Sequence, residues 1–268
     1  MDAMLARSAH AEGFIAAAGD NPDSTLVALD FDGTLSEMVE DPEQAFIHPE
    51  ARRALAELIG RVGHVAIITG RPVDQVRRLG YLNDDLLQKL IVLGQYGAER
   101  LDSDGRRVPD AAPSVRRAIE ELQPLADEYP GLFIEDKQHA VGVHTRRAPK
   151  GTLAKVESTV VAVAQRLGLE VEPGKEVLEL RAHRVSKGEA LRGLMRETAA
   201  EAVAMVGDDL GDISAFDVIK EHQASGKPGL VVVSGSEERP ELTEMADMLC
   251  GGPAGVAVWM DSVGVNPA

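Results

Sequence analysis

Apolar residues run along this chain in two rhythms, and their alternation sets out the elements. Three short unbroken apolar runs, TLVAL from Thr25, HVAIIT from His64 and LIVLG from Leu90, predict strands covered on both faces, because a half-exposed strand would alternate polar and apolar positions. Between the first two, PEARRALAELIGRV repeats Ala54, Leu55, Leu58, Ile59 and Val62 at helical spacing, and VDQVRRL predicts a shorter helix after the second. Strand, helix, strand, helix, strand is the order of a parallel sheet with crossover helices. The N-terminal MDAMLARSAHAEGFIAAAGDNPDS predicts a short helix leading into the first strand.

The rhythm changes near Asp110. A predicted helix over 115–128 is followed by two strand candidates, GLFIED and AVGVHT, then by a helix over 151–167. LEVEPGKEVLELR after it predicts a hairpin turning at Pro173 and Gly174. Helix, two strands, helix, two strands describes an α+β unit with antiparallel pairing. From Ser186 the first rhythm returns, with helices in SKGEALRGLMRET, SAFDVIK and AGVAVWM and strands in AVAMVG, GLVVVS and MLC. The expected fold class is α/β: a doubly wound, mostly parallel, Rossmann-like sheet built from residues 1–108 and 182–268, interrupted by an α+β insert over 109–181.

Composition narrows the partners. The chain has 268 residues, of which 44% are hydrophobic and 27% charged, which suits a globular protein with a sizeable core. Its net charge of −16 repels nucleic acid and anionic lipid, so neither is expected as a partner. An anionic small molecule would be repelled as well unless local cations or a metal received it. Cys250 is the single cysteine, which excludes an internal disulfide and a multi-cysteine metal site. With no apolar run of about 18 residues and no signal-peptide pattern, a cytoplasmic location and a monomer are expected.

Candidate chemistry gathers at the carboxyl ends of the predicted strands, where an open parallel sheet binds its ligands. Asp30 and Asp32 follow the first strand, and Thr69, Gly70 and Arg71 follow the second. Lys187 opens the helix that returns the chain to the sheet, and Asp208, Asp209 and Asp212 follow AVAMV. Singly, each has an ordinary reading: aspartate before glycine forms turns, Thr-Gly caps strands, and a lone lysine is usually solvated. Together they place carboxylates, a hydroxyl and a cation on loops that converge. No G-x-x-x-x-G-K-[ST] or G-x-G-x-x-G stretch supports a nucleotide loop, and the seven histidines, His139 and His144 among them, lack zinc spacing.

In order, DFDGT, ITGR, SKGEAL and GDDLGD resemble the four motifs of the haloacid dehalogenase superfamily of phosphohydrolases. The insert between the second and third resembles that superfamily's C2-type cap, and GQYGAER, EDK, VHTR and LELR are similar to stretches of trehalose-6-phosphate phosphatases. The resemblance implies a Mg²⁺-dependent phosphatase of a sugar phosphate, most simply trehalose 6-phosphate. Asp30 would be the nucleophile and Asp32 the acid and base, with Thr69 and Lys187 on the phosphoryl oxygens. Asp30, the Asp32 main-chain carbonyl and Asp208 would ligate the metal, while Asp209 and Asp212 would hold metal waters or orient Lys187. Gly70 and Arg71, and in the cap Glu135, Lys137, Arg146 and Glu179, would bind substrate. A salt-bridged outer face of the small sheet is the plainer reading of those cap residues. Alternatives for the whole chain are a phosphatase of sucrose phosphate or a glycosyl phosphoglycerate, a phosphotransferase, or a non-catalytic sugar-phosphate sensor. Gly211 and Ile213 stand where the family commonly has Thr and Glu, and Ala182 where it has proline.

Overall fold

The computed structural model describes residues 4–39, 41–107, 113–136, 140–174, 176–181, 186–235 and 240–265. The chain divides into two compact units, Met1–Val108 with Val185–Ala268, and Pro109–Arg184. The large unit begins with β1 (Met4–Ala6), α1 (Ala9–Asp20), β2 (Thr25–Leu29), α2 (Pro49–Leu58), β3 (His64–Ile68), α3 (Val73–Leu79), α4 (Asp84–Leu87), β4 (Leu90–Gly94), β5 (Glu99–Asp102) and β6 (Gly105–Arg107). The small unit holds α5 (Pro113–Glu128), β7 (Phe133–Asp136), β8 (Ala140–His144), α6 (Thr152–Leu167), β9 (Glu170–Gly174) and β10 (Val177–Arg181). The large unit resumes with α7 (Lys187–Thr198), β11 (Ala202–Gly207), α8 (Ile213–Ala224), β12 (Gly229–Ser234), α9 (Pro240–Met245), β13 (Met248–Cys250) and α10 (Gly252–Ser262).

The large sheet runs β1-β13-β12-β11-β2-β3-β4-β5-β6. Its centre is parallel from β13 to β4, and antiparallel strands β1, β5 and β6 close the two edges. From β2 the chain builds outward through β3 and β4, then returns to lay β11 against the other side of β2. Strand order therefore reverses between β2 and β11, which is where an open sheet leaves a crevice beyond its carboxyl ends.

Both faces of this sheet are covered, which explains the unbroken apolar runs. Val27, Leu29, Val65, Ile67, Ala204 and Val206 pack with Phe14 of α1, Leu55 and Leu58 of α2 and Trp259 of α10. Leu26, Ala28, Ala66, Ile68, Val203 and Met205 point the other way, onto Leu191 of α7 and Phe216 and Ile219 of α8. Fully burying each such large side chain contributes about 1.5–3 kcal/mol.

In the small unit the sheet order is β7-β8-β10-β9, antiparallel throughout. Ile134, Val141, Val143, Leu178 and Leu180 pack with Val115 and Leu122 of α5 and Val156 and Val160 of α6. Directly paired residues share a face, so Glu135, Gly142, Glu179 and Glu172 form a row on the opposite face, beside a second row of Phe133, His144 and Val177.

Several sequence expectations need correction. The hairpin does not turn at Pro173 and Gly174: both lie within β9, and Val177 pairs with Gly174. Proline is tolerated there because β9 is an edge strand. Strands β1, β5 and β6 and the short helices α4 and α9 were not foreseen. Ala182 and the first boundary proposed for the insert, at 109, lie outside the described residues, while Arg181, proposed as its last residue, ends β10.

Candidate active site

Asp30 is the first residue beyond β2, and its amide donates to the Val206 carbonyl of β11 (2.8 Å), which keeps it in line with the sheet although the strand has ended. Only 4% exposed, it lies against Lys187, whose Nζ is 2.8 Å from Asp30 Oδ1. The same nitrogen donates to Asp212 Oδ1 at 2.7 Å. Lys187 is placed by local chemistry: Ser186 caps α7, its hydroxyl accepting from the Glu189 amide while Glu189 accepts from the Ser186 amide. Asp212 is placed in the same way, Oδ2 accepting from the amides of Asp208 (3.0 Å) and Asp209 (3.1 Å).

Three charged groups thus sit in a dry place, and their protonation follows. Burial, and then the charge of Asp212, push the Asp30 carboxyl well above the usual carboxylate range despite the nearby ammonium. Burial also raises Asp212. Burial opposes the charge of Lys187, but Asp30 and Asp212 outweigh it and hold the ammonium above its ordinary value. The cluster thus holds a charged lysine between two acids that burial makes easier to protonate.

Asp32 is handled differently. Its side chain is 33% exposed, and both oxygens accept from Arg71, Oδ2 from Nε and Oδ1 from Nη2, each at 2.7 Å. Bidentate pairing of this kind fixes the plane of the carboxylate as well as its position. The paired carboxylate raises the guanidinium pKa further. Arg71 also donates to the Pro42 carbonyl (2.8 Å), tying the second loop to the first. Thr69 is buried, with its hydroxyl accepting from the Arg71 amide (3.2 Å). The chain leaves strand geometry through Gly33, at φ 70°, where a Cβ would also come 2.0 Å from Asp208 Oδ2. Glycine is needed there twice over, for the turn and for the close approach of the fourth loop.

Asp30, Asp208 and Asp212 each offer a carboxylate oxygen, and these lie within 4.8 Å of one another, a group able to hold a metal ion. Asp212 spends both oxygens on Lys187 and the two amides. Hard oxygen donors suit Mg²⁺. Asp209 accepts from the Gly211 amide and so shapes the loop. Gly211 fits this tight turn without a side chain, and Ile213 begins α8.

In the small unit Glu135 Oε2 lies 2.7 Å from His144 Nε2, and Arg181 pairs with Glu179 at 2.7 Å. Phe133, 59% exposed, tilts against the His144 ring with centroids 6.2 Å apart. Arg146 does not end the strand: it lies in the exposed turn after β8. Lys137 and His139 lie outside the described residues. Sequence reasoning passed over Arg181 and Phe133, although the period-2 pattern of β7 and β10 already sets both on the face that carries Glu135 and Glu179. It also missed the Arg71–Asp32 pair, which no local pattern announces.

A trehalose-phosphatase family model matches residues 28–246. The trehalose-phosphate phosphatase of Mycobacterium tuberculosis is 34% identical over 247 residues, covering 88% of this chain and 60% of that protein. That of Mycobacterium marinum is 32% identical over 243 residues, covering 86% and 59%. The chain therefore spans about three-fifths of the length of these curated relatives. Among solved structures, a trehalose-6-phosphate phosphatase of Aspergillus fumigatus superposes with a TM-score of 0.74 at 24% identity, covering 95% of this chain and 97% of that one. A haloacid dehalogenase-like hydrolase from Bacteroides thetaiotaomicron gives 0.61 at 17% identity, covering 88% and 98%. At such identities the likeness is one of fold. Among the described residues no helix is long and apolar enough to cross a membrane. With more than half of its length matched by one family model, this chain belongs to the trehalose-phosphatase family.

Proposed function

We propose that this protein hydrolyses trehalose 6-phosphate to trehalose and phosphate through a phosphoaspartate on Asp30. The observation that carries the reading is the buried Asp30 at the end of β2, with Lys187 2.8 Å from one of its oxygens and Asp32 two residues on. An Asp30 oxygen forms the bond to phosphorus as the bond from phosphorus to the sugar oxygen breaks. Asp32 gives a proton to that departing oxygen. It then takes one from the water that attacks the phosphoaspartate, which returns Asp30 and releases phosphate. The bidentate pair with Arg71 holds Asp32 as an acceptor, so Asp32 exchanges at least one of those bonds before it donates.

Lys187 and Thr69 hold the phosphoryl oxygens, and Asp212 keeps Lys187 charged and aimed. Mg²⁺ would be held by Asp30, Asp208 and the Asp32 carbonyl, with Asp209 and Asp212 around it; when bound it offsets the charge of the phosphoryl group. The small unit would act as a cap over residues 109–181, its face of Glu135, His144 and Glu179 accepting and donating to sugar hydroxyls together with Lys137 and Arg146. Carboxylates beside cations can exchange their mutual contacts for hydroxyls, and a site built for those hydroxyls rejects analogues that lack them. Support from relatives comes from the trehalose-phosphate phosphatases of the two mycobacteria. The experiment is phosphate release from a panel of sugar phosphates with Mg²⁺. Trehalose 6-phosphate should give the highest kcat/KM, and a faster turnover of sucrose phosphate or a glycosyl phosphoglycerate would overturn the assignment.

A further inference from the structure

The stretch GQYGAER, at the carboxyl end of β4, takes no part in the chemistry above, yet its backbone is the most unusual in the large unit. Five described residues other than glycine have positive φ: Tyr81, Gln95, Tyr96, Glu176 and Ala199. Ala199 caps α7, Tyr81 follows the end of α3, and Glu176 precedes β10 in the hairpin; these are ordinary places for a left-handed residue. Gln95 and Tyr96 are different, because they are consecutive, at φ 48° and 60°, and neither is a type that favours this region. Such a conformation persists only where the surroundings hold it, and it is met most often at functional sites.

The surroundings here are the loop that carries Thr69, Gly70 and Arg71. The Tyr96 amide donates to the Thr69 carbonyl (2.8 Å), the Gln95 amide to the Arg71 carbonyl (3.0 Å), and the Thr69 amide to the Leu93 carbonyl (3.0 Å). Below them Glu99, 3% exposed, accepts from the Val73 amide (2.9 Å) and from the Gln95 side chain (3.2 Å). Three strapped amides and a buried acid thus hold one aromatic residue in place. Its ring lies on the exposed Gly70, where a Cβ would come 2.9 Å from both Cζ and Oη of Tyr96. A side chain at Gly70 would have to displace the phenol. Tyr96 remains 36% exposed, beside a threonine that is 1% exposed.

From this the geometry points to Tyr96 as a further specificity-determining residue: its hydroxyl hydrogen-bonds the sugar carried by the leaving oxygen, and its ring packs on the sugar's C–H face. A residue needed only to close the loop would not have to be a tyrosine in a left-handed conformation, since glycine adopts that backbone without strain. A phenol supplies a donor and acceptor at the end of a rigid apolar plate, which suits a ring bearing hydroxyls.

This inference rests on the phosphatase reading, so the wild type is measured first across the sugar-phosphate panel with Mg²⁺. Tyr96→Phe and Tyr96→Gly are then compared with it as the ratio of kcat/KM for trehalose 6-phosphate to kcat/KM for p-nitrophenyl phosphate. Loss of the hydroxyl should lower this ratio about tenfold, the scale of one polar contact. Tyr96→Gly should lower it further while the thermal midpoint stays at or above that of the wild type, because the left-handed strain is relieved. An unchanged ratio in both variants overturns the inference, whether or not the two activities fall together, since a brace of the loop would affect both substrates alike. If the wild type prefers another sugar phosphate, the trehalose reading fails and the ratio is taken on that substrate. If no sugar phosphate is hydrolysed, both fall.

Discussion

Asp30, Lys187 and Asp212 in the large unit, and Glu135, His144, Glu179 and Arg181 in the small one, are both clusters of acids and bases, yet the protein treats them in opposite ways. In the first, every residue is under 5% exposed, and each is aimed by a strand end, a helix cap or a pair of amides. Removing Lys187 would leave two acids in a dry site without their shared cation, at about 3–5 kcal/mol. In the second, Glu135 and His144 have side chains 41% and 34% exposed, and their pairing competes with water. Surface pairs of that kind contribute about 0–1 kcal/mol, so they can be traded for another partner at little cost. The same residue types therefore serve two ends. On the function proposed above, burial fixes a geometry in advance, as bond-making requires, and exposure keeps partners exchangeable, as recognition of many hydroxyls requires.

The severest way to break this contrast is Asp30→Asn. It is nearly isosteric and keeps Lys187 paired with Asp212, so the thermal midpoint should move by only a few degrees while turnover of every phosphate ester falls by at least about a thousandfold. Retained turnover would show that the buried cluster is structural. Next comes the metal. Chelation should abolish phosphate release and added Mg²⁺ restore it, whereas Asp208→Ala should need far more Mg²⁺ for half-maximal activity. Full activity in excess chelator would remove the reason for gathering these acids.

Asp247 sharpens the comparison, because it is as buried as Asp30 and far from being a nucleophile. Its carboxylate accepts from Ser8, Lys220, Gln223 and the Val231 amide, which joins the start of the chain to α8 and β12. Burial works against its charge, but these hydrogen bonds outweigh it and hold the carboxyl below its usual value. Asp247→Asn should lower stability by about 1–3 kcal/mol near neutral pH and leave kcat/KM within about twofold. Since the folded carboxyl titrates below the unfolded one, its contribution is complete above the unfolded value and is lost as pH falls through the folded value. Urea unfolding of the two proteins should therefore converge in acid; a difference that persists there would assign the loss to packing. The mildest effects belong to the cluster of the small unit. Glu135→Ala and Glu179→Ala should each lower the preference for trehalose 6-phosphate over p-nitrophenyl phosphate by about tenfold, with no shift in thermal midpoint beyond a few degrees. An unshifted preference would return this face to an ordinary salt-bridged surface.

Most of the large sheet could be read from the sequence because its strands are buried on both faces and advertise themselves as apolar runs. The edges could not. Strand β5 buries Glu99 and Asp102 by pairing them with Arg106, Arg100 and Arg107, so its interior positions look like surface. Strand β1 is three exposed residues held by its pairing with β13. Pro173 and Gly174 have the composition of a turn, but an edge strand tolerates both, and the turn falls where Glu176 goes left-handed. At the candidate site the loops and their order were legible, because strand ends fix where Asp30, Thr69 and Asp208 lie. The orientation of Arg71 was not. In the sequence it is one more cation near a phosphate; in the fold its guanidinium is turned onto Asp32.

The placement of β11 beside β2 also sets the order in which the molecule can be made. Thr25 pairs with Ala202 and Leu29 with Val206, so one flank of β2 stays open until the insert between them has left the ribosome. Contacts this distant in sequence slow folding, because a long loop must close before any of them form. The segment through β4 can collapse early around Val27, Leu29, Val65 and Ile67, with β2 as an exposed, apolar, unpaired edge. Such edges invite association with other chains. The crevice thus cannot form until the insert has been made, and until β11 arrives a nascent chain carries an apolar strand flank open to association.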